Sequence, residues 1–370
     1  MSSQVFAHSV WQSITRGWVE QLDRARFELH LFHLGRTQDD ETAFARERAQ
    51  SFTTGERPLA AWVDAIRAAR PDVLLYPELG IDALTPRLAA LRLAPVQAAS
   101  WGHPETTGLP TIDHYLSAER LEGEGADAHY RERLVRLPGL GCCVAPAAVR
   151  PSGQEADVAL ADLGLAPDAT VFVCAGTPFK YAPEHDAVLV RIARELPQAQ
   201  FLFFRHGLAA ALSERLMARL AAAFAAAGLD PARHLVLAPW MPRARFFGVL
   251  ARAHVFLDTV GFSGFNTVMQ AVECGLPVVT QRGRFLRGRL GSGILEHLGL
   301  GDQVAADDDD MVARALALGR DADARARVRE RLVDARGKLY GDVAPIRALE
   351  AHLWRWAGRA GLPAAPALGG

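Results

Sequence analysis

Short apolar runs alternate with stretches of helical period along most of the 370-residue chain, a pattern that predicts parallel sheets flanked by helices. In the first half, Phe27–Phe32, Val73–Tyr76, Val96–Ser100 and His114–Leu116 read as strands, with helices over Leu59–Ala69 and Leu84–Leu91. The second half repeats the logic more cleanly. Thr170–Ala175, Gln200–Phe204, His234–Leu237, His254–Leu257 and Pro277–Thr280 are continuous apolar runs, as expected of strands buried on both faces. Leu208, Leu212, Leu216, Leu220 and Phe224 fall four apart and predict the core stripe of one helix. Helical pattern dominates from Gly291 to Ala357. Between the halves, GLGCCVAPAAVRPSGQ (Gly139–Gln154) has no period and reads as a connection. The expected division is therefore a first domain over 1–150 and a second beginning at 151. Two such open α/β domains favour a ligand in the cleft between them, at the carboxyl ends of strands.

Composition narrows the function without naming it. The chain carries 41 Lys+Arg against 42 Asp+Glu, a net charge of -1. No general positive field exists to hold nucleic acid, so any phosphate must be held by a local site. Cys142, Cys143, Cys174 and Cys274 form neither C-x-x-C nor a zinc-spaced set, and buried thiols in a reducing cytoplasm are expected. The first residues lack a basic region followed by an apolar run, so no signal peptide is expected. Leu208–Leu229 contains Glu214, Arg215 and Arg219, which makes it an amphipathic helix and not a membrane span.

Local phosphate sites can be sought at glycine-rich turns. The strand HVFLDT is followed by Val260-GFSGFNT-Val268 and then by a helical pattern. Gly261 and Gly264 allow tight turning, Ser263, Asn266 and Thr267 offer polar groups, and the helix N-terminus suits an anion. A second loop, GTPFK, follows the strand TVFVCA and ends in Lys180, whose ammonium could reach a diphosphate. Four arginines, Arg282, Arg284, Arg287 and Arg289, lie beside a third glycine-rich turn, and Arg289 is the one expected nearest a ligand. In the first half, the strand VQAAS runs into a loop bearing His103, Glu105, Thr106 and Thr107. Glu78 ends another strand, and His8 precedes the first helix. His103 can take a proton near neutral pH, and the threonines can hydrogen-bond hydroxyls. The acidic run Asp307–Asp310 reads as caps and first-turn acids of a helix, so no metal site is expected. The Walker loop, the dinucleotide fingerprint and the G-x-S-x-G elbow are absent from the sequence.

Two separated motifs, RLAPVQ…WGHPETTG…ID and LDTVGFSGFNTVMQAVECGLPVVTQRG…RLGSGIL…LGL, resemble glycosyltransferase family 41. That family contains the protein O-linked N-acetylglucosamine transferases and bacterial cytoplasmic N-glucosyltransferases. The resemblance runs from about His8 to Ala357. It implies a GT-B fold, two Rossmann-like lobes with a ligand cleft between them. The acceptor-side lobe would occupy 1–150 and the nucleotide-sugar lobe 151–345. A helix over 346–360 would cross back to the first lobe, and 361–370 would be a flexible tail. The implied reaction is inverting and needs neither metal nor cofactor. A hexose or N-acetylhexosamine would move from a UDP-sugar to a protein or peptide side chain, in the cytoplasm.

By the same similarity Lys180 would contact the diphosphate, and Asn266 and Thr267 would bind it at the helix N-terminus, with Gly264 permitting close approach. Met241 and Arg243 would flank the base, with Trp240 a stacking candidate. His103, Thr106 and Thr107 would line the sugar and acceptor side, and His8 matches a family histidine near the site. His103, His8 and Glu78 are the candidate bases, in that order. Gln270 stands where many GT-B enzymes keep a carboxylate for the ribose, and Phe265 stands where the O-linked enzymes have a histidine. No tetratricopeptide array precedes the motifs, so the acceptor would be recognised by the cleft, another domain or a partner protein. Transfer to a small molecule or glycan, or a silent nucleotide-sugar-binding module, are the alternatives.

Overall fold

The computed structural model describes residues 1–146 and 157–358; the connection expected at Gly139–Gln154 lies partly, and the tail expected at 361–370 wholly, outside them. The chain divides into two compact units, Met1–Ala145 together with the stretch from Gly341 onward, and Pro146–Tyr340.

The first unit opens with a π-helical turn, Trp11–Thr15, that runs into α1 (Arg16–Gln21). Next come β1 (His30–His33), α2 (Asp40–Arg48), β2 (Ser51–Thr54), α3 (Leu59–Ala69), β3 (Val73–Tyr76) and α4 (Thr85–Ala89). β4 (Val96–Ser100), β5 (His114–Ala118) and β6 (Arg133–Leu137) complete its strands. β1 and β2 pair in parallel, and β3-β4-β5-β6 form a second parallel sheet in that order. The strand expected at Phe27–Phe32 starts three residues later. β2 (SFTT) and β6 (RLVRL) are found where the apolar pattern predicts nothing. Both are edge strands with half-exposed positions, so neither needs the apolar run that marks a buried strand. The helix Ala344–Trp356 belongs to this unit: Glu350 accepts from the Asp23 N–H (2.8 Å), and Trp356 stacks on His114 with ring centroids 4.2 Å apart.

The second unit is one six-stranded parallel sheet. Its elements are β7 (Thr170–Cys174), α5 (Asp186–Glu195), β8 (Ala199–Phe204), α6 (Ala210–Ala226), α7 (Pro231–His234), β9 (Leu235–Ala238) and α8 (Arg243–Arg252). They continue with β10 (Val255–Leu257), α9 (Asn266–Glu273), β11 (Val278–Gln281), α10 (Leu290–His297), β12 (Val304–Ala305), α11 (Asp308–Arg320) and α12 (Ala322–Ala335). The strand order is β12-β11-β10-β7-β8-β9. All five residues of β7 are buried, as a central strand covered on both faces requires. The apolar stripe of α6 is shorter than its spacing predicts. Leu216, Leu220 and Phe224 are buried, whereas Leu208 precedes the helix and is 98% exposed. Asp307 caps α11 by accepting the Asp310 N–H (2.9 Å), the role expected for the acidic run.

The sheet order fixes where a ligand can lie. From β7 the chain builds outward through β8 and β9; it then returns to the other side of β7 to place β10. Loops leaving β7 and β10 therefore diverge to opposite faces, opening a crevice at their carboxyl ends.

Candidate functional site

Both phosphate-loop candidates sit at that crevice. The loop after β7 carries Lys180, and the loop after β10 runs from Asp258 to Phe265 before α9 begins at Asn266. They touch: the Lys180 ammonium donates to the Ser263 carbonyl (3.3 Å) and lies 4.3 Å from the centroid of the Phe262 ring. Lys180 is half-buried, and burial lowers its pKa below the usual lysine value, while the nearby Asp258 carboxylate acts the other way.

Asp258 organises the second loop. Its Oδ1 accepts the N–H groups of Thr259 and Gly264, each at 2.9 Å, and its Oδ2 accepts the hydroxyls of Ser263 (2.5 Å) and Thr280 (2.8 Å). Burial pushes its pKa up, against the pull of these four hydrogen bonds. The Ser263 hydroxyl in turn accepts the Gly291 N–H (2.7 Å) from α10, and the Ser263 N–H donates to the Arg287 carbonyl (2.8 Å). The arginine-bearing turn is thereby bonded directly to the phosphate-loop candidate. Asp258 was not singled out by the sequence pattern, although an acid at the end of a strand before a Gly/Ser loop is a readable signal.

Two glycines in this loop carry conformational weight. Gly261 has φ +80, a left-handed backbone that favours glycine. At Gly264 a side chain would collide with the Thr267 hydroxyl. The close approach that Gly264 permits is thus, first of all, that of Thr267. Phe265, the residue before α9, is buried and supplies no side-chain cap to the helix N-terminus. Gln270 lies one turn further along α9.

The remaining nucleotide-side candidates are spread around the sheet. Trp240 is 64% exposed past the end of β9, with its indole against Gly207, and Met241 is buried beside it. Arg243 begins α8, its guanidinium 5.8 Å from the Phe247 ring centroid. Arg289 precedes α10 and donates to the Gly283 carbonyl (3.2 Å). Arg282 is paired with Glu296 at 3.0 Å. A cavity of about 30 Å³ beside the loop is lined by Tyr181, His185, Asp258 and Thr259.

In the first unit the three candidate bases converge. The Gly102 N–H donates to the Pro77 carbonyl (3.0 Å), which ties the His103 loop to the turn holding Glu78. A side chain at Gly102 would lie 2.8 Å from Val10, so the His8 segment packs there too. The His103 ring lies over Gly80, and its carbonyl accepts from the Tyr115 hydroxyl (2.8 Å). His8 accepts the Val10 N–H at Nδ1 (3.3 Å), and burial lowers its pKa. Glu78 is different. It is fully buried, its Oε1 accepts from the Ser2 hydroxyl (2.7 Å) and the Ser3 N–H (2.8 Å), and burial pushes its pKa up to about 7.

Thr106 and Thr107 meet Glu132. Their hydroxyls are not offered outward: Thr106 donates to Glu132 Oε2 (2.6 Å), while the Thr107 hydroxyl and its N–H (2.8 Å) both go to Glu132 Oε1. Burial raises the Glu132 pKa, but these bonds outweigh it and hold the carboxyl below its usual range. A threonine hydroxyl has one proton, and here both protons are spent on the buried acid.

A family model for Glycosyl transferase family 41 matches residues 156–340, half of the chain. The chain belongs to glycosyl transferase family 41. The family 41 chain is 26% identical over 249 residues to a protein of Solanum lycopersicum named probable UDP-N-acetylglucosamine–peptide N-acetylglucosaminyltransferase SPINDLY, covering 67% of this chain and 26% of that one. It is 24% identical over 278 residues to the UDP-glucose:protein N-beta-glucosyltransferase of Actinobacillus pleuropneumoniae serotype 7 (strain AP76), covering 74% of this chain and 43% of that one. The chain therefore spans about a quarter of the length of the plant relatives it matches, and less than half of the bacterial one. Among solved structures, a mutant O-GlcNAc transferase of Thermobaculum terrenum matches with TM-score 0.81 and 26% identity, over 96% of this chain and 66% of that chain. The fold class is accordingly GT-B, α/β with parallel sheets, as the sequence motifs imply. Among the described residues no cluster of three or more His, Cys, Asp and Glu side chains is set to hold a metal, and no helix is long and apolar enough to cross a membrane.

Proposed function

We propose that this family 41 chain is an inverting, metal-independent glycosyltransferase that moves a hexose or N-acetylhexosamine from a UDP-sugar to a protein or peptide side chain. The observation that carries the reading is the meeting of Lys180 with Phe262 and Ser263 of the loop that leads into α9, at the carboxyl ends of β7 and β10. As the acceptor nucleophile bonds to the anomeric carbon from one face, the bond to the diphosphate oxygen breaks on the other. The electron pair leaves with UDP. Lys180 and the helix N-terminus supply positive charge where that negative charge grows, which is the work a metal ion would otherwise do. Asn266 and Thr267 would hold the diphosphate, Arg289 would add charge, and Trp240, Met241 and Arg243 would receive the base.

The acceptor proton goes to a base in the first unit. His103 is the leading candidate, because its carbonyl is anchored by Tyr115 while its half-buried ring lies over Gly80. His8 accepts a backbone N–H at Nδ1, so its neutral ring carries the proton on Nε2 and suits a hydrogen-bond donor better than a base. Glu78 is enclosed and bound to Ser2 and Ser3, which fits a structural acid.

Gln270 favours a second reading, in which the protein binds a nucleotide sugar without turning it over, or transfers to a small molecule or glycan. UDP release from a panel of UDP- and GDP-sugars, with intact-mass analysis of co-expressed proteins, separates these. A hexose or N-acetylhexosamine mass increment on a protein is the expected result. Absence of any increment and of any donor turnover would overturn the transferase reading in favour of the silent module.

A further inference from the structure

We propose that Phe262 is the positioning residue for Lys180: the face of its ring seats the ammonium over the Gly261–Gly264 loop and keeps it charged there. This rests on the reading of Lys180 as the diphosphate-contacting cation and goes beyond it, because it assigns the residue that holds that cation in place.

The geometry is specific. The ammonium nitrogen is 4.3 Å from the Phe262 centroid, inside the distance at which a ring quadrupole attracts a cation, and the attraction grows as water is removed. The same nitrogen reaches the Ser263 carbonyl at 3.3 Å, so ring and carbonyl of consecutive residues grip it from two directions. Phe179, 63% exposed, meets the Phe262 ring edge-on at 6.4 Å. Asp258 cannot hold the ammonium instead. Its two oxygens already accept from Thr259, Gly264, Ser263 and Thr280, so it acts on Lys180 through its charge alone. The direction of the Phe262 side chain is set on both sides, by the left-handed Gly261 and by Ser263, which is locked to Asp258. Burial alone would favour the neutral amine, which offers a departing diphosphate no charge. The ring face counters that tendency without adding a carboxylate, which would compete with the diphosphate for the lysine.

The other ionisable groups around the loop are Asp258, His185 with its partner Asp308 near Gly261, and Arg287 and Arg289 on the neighbouring turn. They are common to all variants compared below.

Lys180 and Lys338 are the only lysines in the sequence, which makes a direct test practical. In protein labelled with ¹³Cε-lysine, exposed Lys338 serves as the reference, and Lys180→Ala identifies the second signal. The expected wild-type Lys180 signal has its Hε protons shifted upfield by the Phe262 ring. In Phe262→Leu the upfield shift disappears and the titration midpoint of Lys180 falls by about half a pH unit or more, because a charged form stabilised by the ring loses that support. Phe262→Tyr keeps both. The alkaline limb of kcat/KM with UDP-glucose or UDP-N-acetylglucosamine moves down with the midpoint in Phe262→Leu and returns in Phe262→Tyr, whereas simple loosening of the loop would lower activity at every pH. Should Phe262→Leu not fold, Phe262→Met is read in its place. An unchanged Lys180 midpoint and Hε shift in the folded variant would overturn the proposal, even if Lys180 proves essential for transfer. A shifted midpoint in a protein that turns over no donor would instead leave the ring contact standing and overturn the transferase reading.

Discussion

Asp258 and Glu78 stand in comparable places in their two units, and their surroundings differ in an instructive way. Each is a buried acid just past the carboxyl end of a parallel strand, β10 for Asp258 and β3 for Glu78, and burial raises the pKa of each. Asp258 has both oxygens satisfied by four donors from its own loop and from β11. Glu78 has one oxygen bound to Ser2 and Ser3, while its Oε2 has no hydrogen-bond partner among the described residues. A carboxylate surrounded by donors shapes a loop and has its charge supported by them; one left half-satisfied holds a proton more readily. The first arrangement builds the bed on which Lys180 is presented. The second ties down the segment that leads to His8.

The largest expected effect breaks the comparison at its functional end. Lys180→Ala should reduce turnover about a thousandfold, about 4 kcal/mol of lost transition-state stabilisation, while leaving the thermal midpoint nearly unchanged. Undiminished UDP release by a folded Lys180→Ala protein would remove the leaving-group role. Next comes Asp258→Ala, which strands two N–H groups and two hydroxyls in a buried loop and should cost about 3 kcal/mol of stability, with loss of nucleotide affinity. Asp258→Asn should fall well short of that, since its oxygen can still accept from Thr259 and Gly264, and the Ser263 and Thr280 hydroxyls can turn to accept from its amide. Equal damage from both variants, by denaturant titration, would show that charge and not hydrogen bonding is what the loop needs.

Glu78→Gln tests the other half. With a folded pKa raised to about 7 from an ordinary 4.5, the native state binds the proton more tightly than the unfolded chain does. Its stabilising contribution is complete below the unfolded value and is lost as pH rises through about 7. Glutamine mimics the protonated form at every pH. The stability of the native protein relative to Glu78→Gln should therefore fall between about pH 4.5 and 7, by about 3 kcal/mol at most. A difference that does not change across that range would mean Glu78 is ionised throughout.

How far the sequence foretells all this depends on distance along the chain. β7 and β8 are legible because central parallel strands are apolar at nearly every position, and the loop before α9 is legible because glycines and polar residues cluster between a strand and a helix. The meeting of Lys180 with Ser263 spans 83 residues and depends on β7 and β10 becoming neighbours, which follows from the strand order and not from either motif. Asp258 is visible only as an acid at a strand end, since its four donors come both from its own loop and from β11, 22 residues on. Edge strands such as β2 and β6 escape detection because their exposed positions tolerate Ser, Thr and Arg.

The threonine pair shows the same limit at closer range, and it gives the smallest of the expected effects. Thr106 and Thr107 read as partners for ligand hydroxyls because the local sequence is a polar loop, yet Glu132, which captures them, lies 26 and 25 residues on, at the entrance to β6. Thr106→Val removes one hydroxyl donor from a buried carboxylate that keeps Thr107, so a loss of about 1 kcal/mol is expected. Because Glu132 lies below its usual pKa range, what this pair adds to stability is present above the unfolded value and fades as pH drops through the folded one. The Thr106→Val penalty should accordingly be larger at pH 7 than at pH 4, with the KM for acceptor unchanged at pH 7. A raised acceptor KM with no loss of stability would return Thr106 to the ligand side.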